Sequence, residues 1–211
     1  MKNLIIGCLF LSSCVSNTNE EVGSIDTAIE IKEPETIVLL EGESFMVWGH
    51  DTVDYESIKQ AEVKFEPYIN FSDFKVGEIY KGKRPLLQLK REDSNFWSYR
   101  TKIRNGYKEP VNFAGHYRFV YWGCGSPCQA AVLIDVKTGK IYNAPSASLG
   151  YEHFKDSRML ITNPPLREDE ESSLYGSKTG FYNVACAYCH PYIFIWNEEK
   201  KRFEERKPSP Y

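Results

Sequence analysis

Four cysteines in two close pairs, with a histidine after the second pair, are the residues best suited to chemistry. Cys124 and Cys128 are four residues apart, whereas Cys186 and Cys189 are three apart and His190 follows directly. In an oxidising compartment such cysteines predict structural disulfides, and four cysteines allow three connectivities. We therefore expect two disulfides from these residues.

Two arguments about the connectivity point in different directions. Local pairing would contribute about 2 kcal/mol per disulfide, whereas crossed pairing would close loops of about 60 residues and contribute about 4 kcal/mol. The turn-forming Gly125, Ser126 and Pro127 nevertheless make local closure of the first pair easy. Local closure of the second pair requires a bulge or turn at Ala187 and Tyr188, because cysteines at that spacing in a straight strand point to opposite faces. Geometry thus favours local pairing, and the crossed connectivity stays open.

Three other uses of the cysteines also stay open. The second pair and its histidine form the C-x-x-C-H pattern of c-type haem attachment, for which Met46 and Met159 are candidate second ligands. The four thiolates together could bind zinc. The second pair could also exchange disulfides, with Tyr188 and His190 tuning the thiolate, although no helix pattern follows Pro191. Because exported thiols are usually oxidised to disulfides, we predict neither a cofactor nor a metal.

No pattern of a hydrolytic active site is present in the sequence. The four histidines, His50, His116, His153 and His190, are scattered along the chain. Neither Gly-x-Ser-x-Gly nor His-Glu-x-x-His occurs, so the nucleophile and zinc arrangements that these motifs provide are not indicated. We therefore predict no catalytic residues.

The elements that must position the cysteines centre on the stretch from Asn112 to Tyr142. Aromatic and β-branched residues from His116 to Trp122 predict a strand, and the apolar run from Ala130 to Val136 predicts a second strand that is buried on both faces. Gly139 in the following turn is free to take a positive φ, which favours a hairpin into a third strand. Side chains of the first strand alternate between two faces: Tyr117, Phe119 and Tyr121 on one, and His116, Arg118, Val120 and Trp122 on the other.

Several short motifs in this stretch resemble an uncharacterised family of exported bacterial proteins. They are NFAGHY from Asn112 to Tyr117, WGCG from Trp122, the second cysteine four residues after the first, and the D-x-x-T-G turn from Asp135. The segment from Tyr99 to Arg104 also resembles the Arg-Thr segment that precedes NFAGHY in that family. The resemblance implies export and a β-rich domain, and it brings no activity or catalytic residues.

The first 14 residues resemble the signal of a bacterial lipoprotein. Lys2 precedes a short apolar core from Leu4 to Leu11, and small residues stand immediately before Cys14. Such a core is too short to span a bilayer as a helix and is typical of a secretory signal. We expect residues 1–13 to be the signal peptide and Cys14 to be acylated. Val15 after the cysteine resembles the Gram-negative signal for the outer membrane.

Composition and charge divide the rest of the chain and exclude one class of partner. Residues 14–35 are polar and acidic and cannot bury enough apolar area to offset their ordering entropy, so they predict a flexible tether. Residues 36–211 are predicted to form one globular domain with no further membrane span. The formal net charge of -3 provides no basic surface for nucleic acid. The expected partners are a membrane, through the lipid, and a protein or glycan of the envelope.

Outside the central stretch the sequence predicts a few further elements. They are a hairpin over 36–48, a short helix within 51–68, a strand-turn-strand over 79–89, a helix over 93–104 with Gly106 at its C-cap region, a strand over 156–162, a surface loop over 166–179, and a closing hairpin over 181–203. The predicted fold class is mainly β, a β-rich α+β fold with a single antiparallel-sheet domain and one or two short helices.

The residue pattern favours a binding function over catalysis. Aromatic side chains bury a large area at low entropy cost, and those near the cysteine turn are the candidates for an exposed binding surface. The candidate binding residues are His116, Tyr117, Tyr121 and Trp122. We therefore expect a non-enzymatic envelope lipoprotein that binds a partner or ligand around Trp122 to Cys128. The alternative is a thiol-redox or c-type haem protein that uses the second cysteine pair.

Overall fold

The computed structural model describes residues 37–49, 58–166 and 179–207. The predicted signal peptide, Cys14 and the tether lie outside the described residues, as does most of the predicted loop over 166–179. Within the described part, no helix is both long and apolar enough to cross a membrane.

Antiparallel strands dominate the described residues, which confirms the predicted β-rich class. They form three sheets with the strand orders β1-β2-β3-β9, β11-β10-β8-β7 and β4-β5-β6. The strands are β1 Ile37–Glu41, β2 Phe45–Gly49, β3 Ile58–Lys64, β4 Tyr117–Gly125, β5 Cys128–Asp135, β6 Ile141–Asn143, β7 Tyr151–His153, β8 Met159–Thr162, β9 Phe181–Asn183, β10 Tyr192–Asn197 and β11 Arg202–Arg206. The helices are α1 Ser94–Trp97 and α2 Arg100–Lys108, and Phe71–Phe74 forms a 3-10 turn.

The first sheet confirms one local prediction and corrects two others. β1 and β2 form the predicted hairpin. The helix predicted within 51–68 is wrong over its described part, because β3 lies there and pairs with β2 on one side and β9 on the other. β9 belonged to the predicted closing hairpin, which in the structure consists of β10 and β11 alone. A partner that lies more than a hundred residues away decides the conformation of β3, and local periodicity does not report it.

The other two sheets pack face to face around an aromatic core. Tyr117 and Phe119 of β4 point into this core, where Tyr117 meets Trp196 at 5.2 Å and Phe119 meets Tyr151 at 5.0 Å between ring centroids. Val120 and Trp122 of β4 pack on the opposite face, as the alternation predicts. The central strand β5 is buried on both faces, which is also as predicted.

Helix α2 covers the outer face of the β4-β5-β6 sheet. Ile103 packs there with Val120, Val132 and Ile134. The structure corrects the predicted cap: Gly106 lies inside α2, which continues to Lys108. A Cβ at this glycine would come 2.5 Å from Val120 Cγ2, so the small residue serves the contact between helix and sheet. On the second sheet, the corresponding outer face of β8 and β10 packs against Phe65, Ile69, Phe71 and Phe74.

The strand-turn-strand predicted over 79–89 is wrong, since this stretch is irregular in the structure. The backbone N–H groups of this stretch donate hydrogen bonds to the glycines of two turns and do not form the predicted hairpin. Tyr80 N–H donates to the Gly115 carbonyl, and Gln88 N–H donates to the Gly139 carbonyl. Gly139 has φ +77°, which confirms the positive φ predicted for the turn after β5. The segment therefore lies as a strap along the domain.

Candidate functional site

Both cysteine pairs are joined locally, so the crossed connectivity does not occur. Cys124 and Cys128 link the end of β4 to the start of β5, with their Cα atoms 5.1 Å apart. Cys186 and Cys189 close a turn before β10, with their Cα atoms 5.3 Å apart. The second bond is possible because Ala187 and the residue after it form the turn that this pairing requires.

The haem and zinc interpretations do not fit this arrangement. Thioether attachment of haem needs Cys186 and Cys189 as free thiols, whereas the structure joins their sulfur atoms. The ring of His190 is held by the Val184 carbonyl, 3.1 Å from Nε2. Met159 is fully buried in β8, and the side chain of Met46 is not among those described. Within the described ranges, no three His, Cys, Asp or Glu side chains gather around a possible metal position.

The four predicted binding residues do not form one exposed surface. Tyr117 is 0% exposed and Trp122 is 7% exposed, which corrects their assignment to an exposed aromatic face. Tyr121 is 54% exposed, and its ring lies 5.4 Å from that of Tyr151. His116 is partly buried at the other end of β4. Tyr117 is buried because the second sheet covers its face of β4, and Trp122 is buried because residues of α1 and α2 pack on the opposite face.

His116 and Tyr117 belong to a cluster around one carboxylate in the β10-β11 turn. The Tyr117 hydroxyl donates to Glu198 Oε1 at 2.8 Å, and Trp196 Nε1–H donates to Glu198 Oε2 at 2.7 Å. Lys201 Nζ donates to the Tyr117 hydroxyl at 3.0 Å and also binds Glu198 Oε1. His116 Nε2 lies 3.5 Å from that same oxygen. We call these five residues the Glu198 cluster.

The protonation states in the Glu198 cluster fit a role in stabilising the fold. Burial acts to raise the pKa of Glu198, but hydrogen bonds from Lys201, Tyr117 and Trp196 outweigh it and lower that pKa. Burial, followed by the bond to the carboxylate, raises the pKa of Tyr117, so the phenol stays protonated. Burial lowers the pKa of His116, which keeps the imidazole neutral at pH 7. The Glu198 carboxylate therefore stays ionised and accepts hydrogen bonds from two buried donors, the Tyr117 hydroxyl and the Trp196 indole N–H.

Trp122 lies at the bottom of a separate cleft between α1 and the outer face of the β4-β5-β6 sheet. The cleft has a volume of about 510 Å³. Apolar atoms of Trp122, Ala130 and Val132 line its base, and the partly exposed Phe96 and Tyr99 form one wall. The rim carries four exposed neutral polar residues, which are Asn95, Ser98, Asn143 and Ser146. We call this site the Trp122 cleft.

In the Trp122 cleft, the Tyr99 and Trp122 rings pack against each other, but the Trp122 indole N–H lacks a hydrogen bond. The rings of Tyr99 and Trp122 lie 4.7 Å apart with an interplanar angle of 31°. The indole N–H of Trp122 is buried and has no hydrogen-bond partner in the described part of the chain. An unsatisfied buried donor costs about 1–3 kcal/mol, and such groups are rare in folded proteins.

The Trp122 cleft has the groups for binding and lacks those for common catalysis. Its described lining contains no carboxylate, imidazole, amine, guanidinium or thiol, so it provides no general acid or base near pH 7 and no metal ligand set. A cavity of a few hundred Å³ with aromatic walls and a few neutral polar groups is typical of a small-molecule site.

Sequence reasoning found Trp122 and missed the other residues of the cleft. Asn95, Ser98, Asn143 and Ser146 come from a helix, a linker, a strand and a loop, and no spacing connects them. Glu198 was also missed, because a carboxylate in a charged turn is usually solvated. The only signal available was the position of Trp122 on the face of β4 opposite the aromatic core.

Comparisons of the chain with protein-family models, with curated proteins and with solved structures find no match.

Proposed function

We propose that the protein is a non-enzymatic binding module of the bacterial cell envelope, attached to a membrane through acylated Cys14. The Trp122 cleft is the observation that supports a binding function. It combines aromatic walls with neutral hydrogen-bonding groups, and its described lining contains no acid-base pair. The apolar core and small residues before Cys14 support the lipid anchor, and two local disulfides are typical of an exported domain. The resemblance of the NFAGHY and WGCG motifs to exported proteins supports the same location.

Photo-crosslinking in living bacteria tests the binding function. A photoreactive amino acid replaces Ser146 at the rim of the Trp122 cleft, or replaces Asn105 on the exposed surface of α2 as the matched control. We expect one recurrent adduct, identified by its mass on the peptide, at the first position and not at the second. The cleft-filling Asn143→Trp should abolish it. Equal labelling at both positions, or labelling that survives the filled cleft, would overturn the proposal.

Lipid attachment is tested separately. Bacteria that express the protein are fed an alkyne-labelled palmitate, and we expect the label on the protein and its loss in Cys14→Ser. Fractionation on a density gradient then distinguishes the outer membrane from the inner membrane. An unlabelled protein recovered in the soluble periplasmic fraction would show that the anchor is wrong while leaving the cleft untested by that result alone.

One observation favours thiol exchange as a second candidate function. Cys189 is 2% exposed whereas Cys186 is partly exposed, so an external dithiol can reach only one sulfur of this disulfide. A thiolate of the dithiol would attack Cys186 Sγ, Cys189 would leave as a thiolate, and the second thiol would release Cys186 and complete the oxidation of the dithiol. The same exchange runs in reverse when the free Cys186 thiolate of Cys189→Ser attacks a disulfide in an oxidised partner, so a trapped mixed disulfide between Cys186 and such a partner would support this candidate. If the double variant Cys186→Ser, Cys189→Ser keeps the crosslinks at Ser146, binding in the Trp122 cleft does not depend on this disulfide.

A further inference from the structure

The chemical character of the Trp122 cleft restricts the ligand more narrowly than binding in general. Three kinds of group meet there: the aromatic side chains of Phe96 and Tyr99, the amides of Asn95 and Asn143, and hydroxyls at the rim. An amide both donates and accepts hydrogen bonds, and so does a hydroxyl. A ligand that matches this set needs an apolar face and neutral groups that donate and accept around its edge.

We propose that the cleft binds a neutral saccharide of one or two rings. This inference rests on the proposed function and names its ligand class. The C–H face of a sugar ring is apolar and fits against an aromatic face, whose π-cloud is electron-rich. Its hydroxyls surround that face in the plane of the ring, where they reach amides such as Asn95 and Asn143. The volume of about 510 Å³ lies in the range of clefts that enclose ligands of this size.

Other ligand classes fit the described lining less well. An anionic ligand would lose hydration without gaining a cation, because no Lys, Arg or His lines the cleft, and a cationic ligand would lack a carboxylate. A wholly apolar ligand would cover the amides of Asn95 and Asn143 without replacing their bonds to water. A neutral hydroxyl-bearing ring avoids all three losses.

Trp122 provides a further reason for an oxygen-rich ligand. Trp122 lines the cleft, and its buried indole N–H has no acceptor among the described residues. The nitrogen itself is covered, and the neighbouring Tyr99 belongs to the linker between two short helices. A sugar oxygen can accept the indole proton only if this linker moves on binding.

The experiment is a calorimetric titration of the full-length protein in a detergent without a sugar headgroup. The probes are cellobiose and the N-acetylglucosamine disaccharide, and N-acetylmuramic acid serves as a ring that carries a carboxylate. We expect the neutral probes to bind and the charged one to bind more weakly. Asn143→Ala and Asn95→Ala should each raise Kd by roughly 2- to 12-fold, the range for one net hydrogen bond. Asn105→Ala, an exposed amide outside the cleft, should leave Kd unchanged.

The outcomes separate the ligand class from the binding function. If neither neutral probe binds up to about 10 mM while the crosslinks at Ser146 remain, the saccharide inference fails and binding of another ligand survives. If the crosslinks are also absent, both proposals fail. If a neutral probe binds but Asn143→Ala and Asn105→Ala behave alike, the sugar lies elsewhere and the assignment of the cleft is wrong. Circular dichroism of each variant excludes unfolding as the cause of lost binding.

Discussion

Replacing Glu198 by alanine should destabilise the domain far more than replacing its neighbour Glu199. Glu198 is the acceptor for two fully buried donors, the Tyr117 hydroxyl and the Trp196 indole N–H. Lys201 cannot substitute for it, because an ammonium only donates hydrogen bonds. Glu199 is exposed, and only its backbone N–H forms a hydrogen bond, to the Asn197 side chain.

The expected magnitude follows from these contacts. Each buried donor left without an acceptor costs about 1–3 kcal/mol, so two would cost about 2–6 kcal/mol. The Glu198 side chain is itself 41% exposed, and water can enter the space that it leaves. We therefore expect the lower part of the range, about 2–3 kcal/mol of unfolding free energy. Glu199→Ala should change it by less than about 0.5 kcal/mol, as surface substitutions usually do.

Acidification provides an independent check on the same carboxylate. The pKa of Glu198 in the folded protein lies below its ordinary value of 4.5, so the folded state favours the ionised form. Its stabilising contribution is therefore complete above pH 4.5 and is lost as the pH falls through the lower folded pKa. The difference between wild type and Glu198→Gln should shrink over that interval.

Urea unfolding followed by tryptophan fluorescence at neutral and acidic pH measures both effects. Equal stabilities of Glu198→Ala and Glu199→Ala would refute the reasoning. So would a difference between wild type and Glu198→Gln that widens as the pH is lowered below 4.5.

Three further perturbations test other parts of the structure. Burial lowers the pKa of His153 below 6.5, so on acidification the unfolded state takes up a proton before the folded state does. The free energy of unfolding should therefore fall as the pH drops below 6.5. In urea titrations, His153→Gln should reduce this pH dependence. Asn112→Ala removes both bonds between its amide and the Phe119 backbone, and should cost about 1–3 kcal/mol with faster hydrogen exchange at Phe119. Cys124→Ser with Cys128→Ser should lower the unfolding free energy by about 2 kcal/mol, and no change would contradict the chain-entropy argument.

The sequence predicted those elements in which local pattern and tertiary packing agree. The alternation predicted the two faces of β4 correctly from Tyr117 onward, and Gly139 marked the turn into β6. His116 was wrongly assigned to the face opposite Tyr117, because it lies before β4 and meets the same Glu198 oxygen as Tyr117. The sequence-based predictions were wrong where segments distant in sequence determine the local conformation. The stretch Ile58–Lys64 has mixed spacing, and it becomes a strand because β2 and β9 supply backbone partners on both sides. The strap over 79–89 lacks a strand partner and bonds to turns instead.

The sites were less predictable than the fold for the same physical reason. Tyr117 and Glu198 are 81 residues apart, and nothing in either local sequence indicates that they meet. An aromatic residue near a turn can face the core or the solvent, so the exposure of Tyr121 and the burial of Trp122 depend on which layers cover each face of β4. The rim of the Trp122 cleft comes from four separate elements, which only the packing brings together.

The order of the cysteines along the chain bears on how the protein matures. In the described part, each cysteine is bonded to its nearest neighbour in sequence. A chain that crosses a membrane with its N-terminus first exposes Cys124 and Cys128 to the oxidant well before Cys186 and Cys189 arrive. The first bond that this order allows is then already the native one, and among the four described cysteines the second pair meets no competing thiol. If the chain is exported as proposed, the formation of these two bonds needs an oxidase but no isomerase.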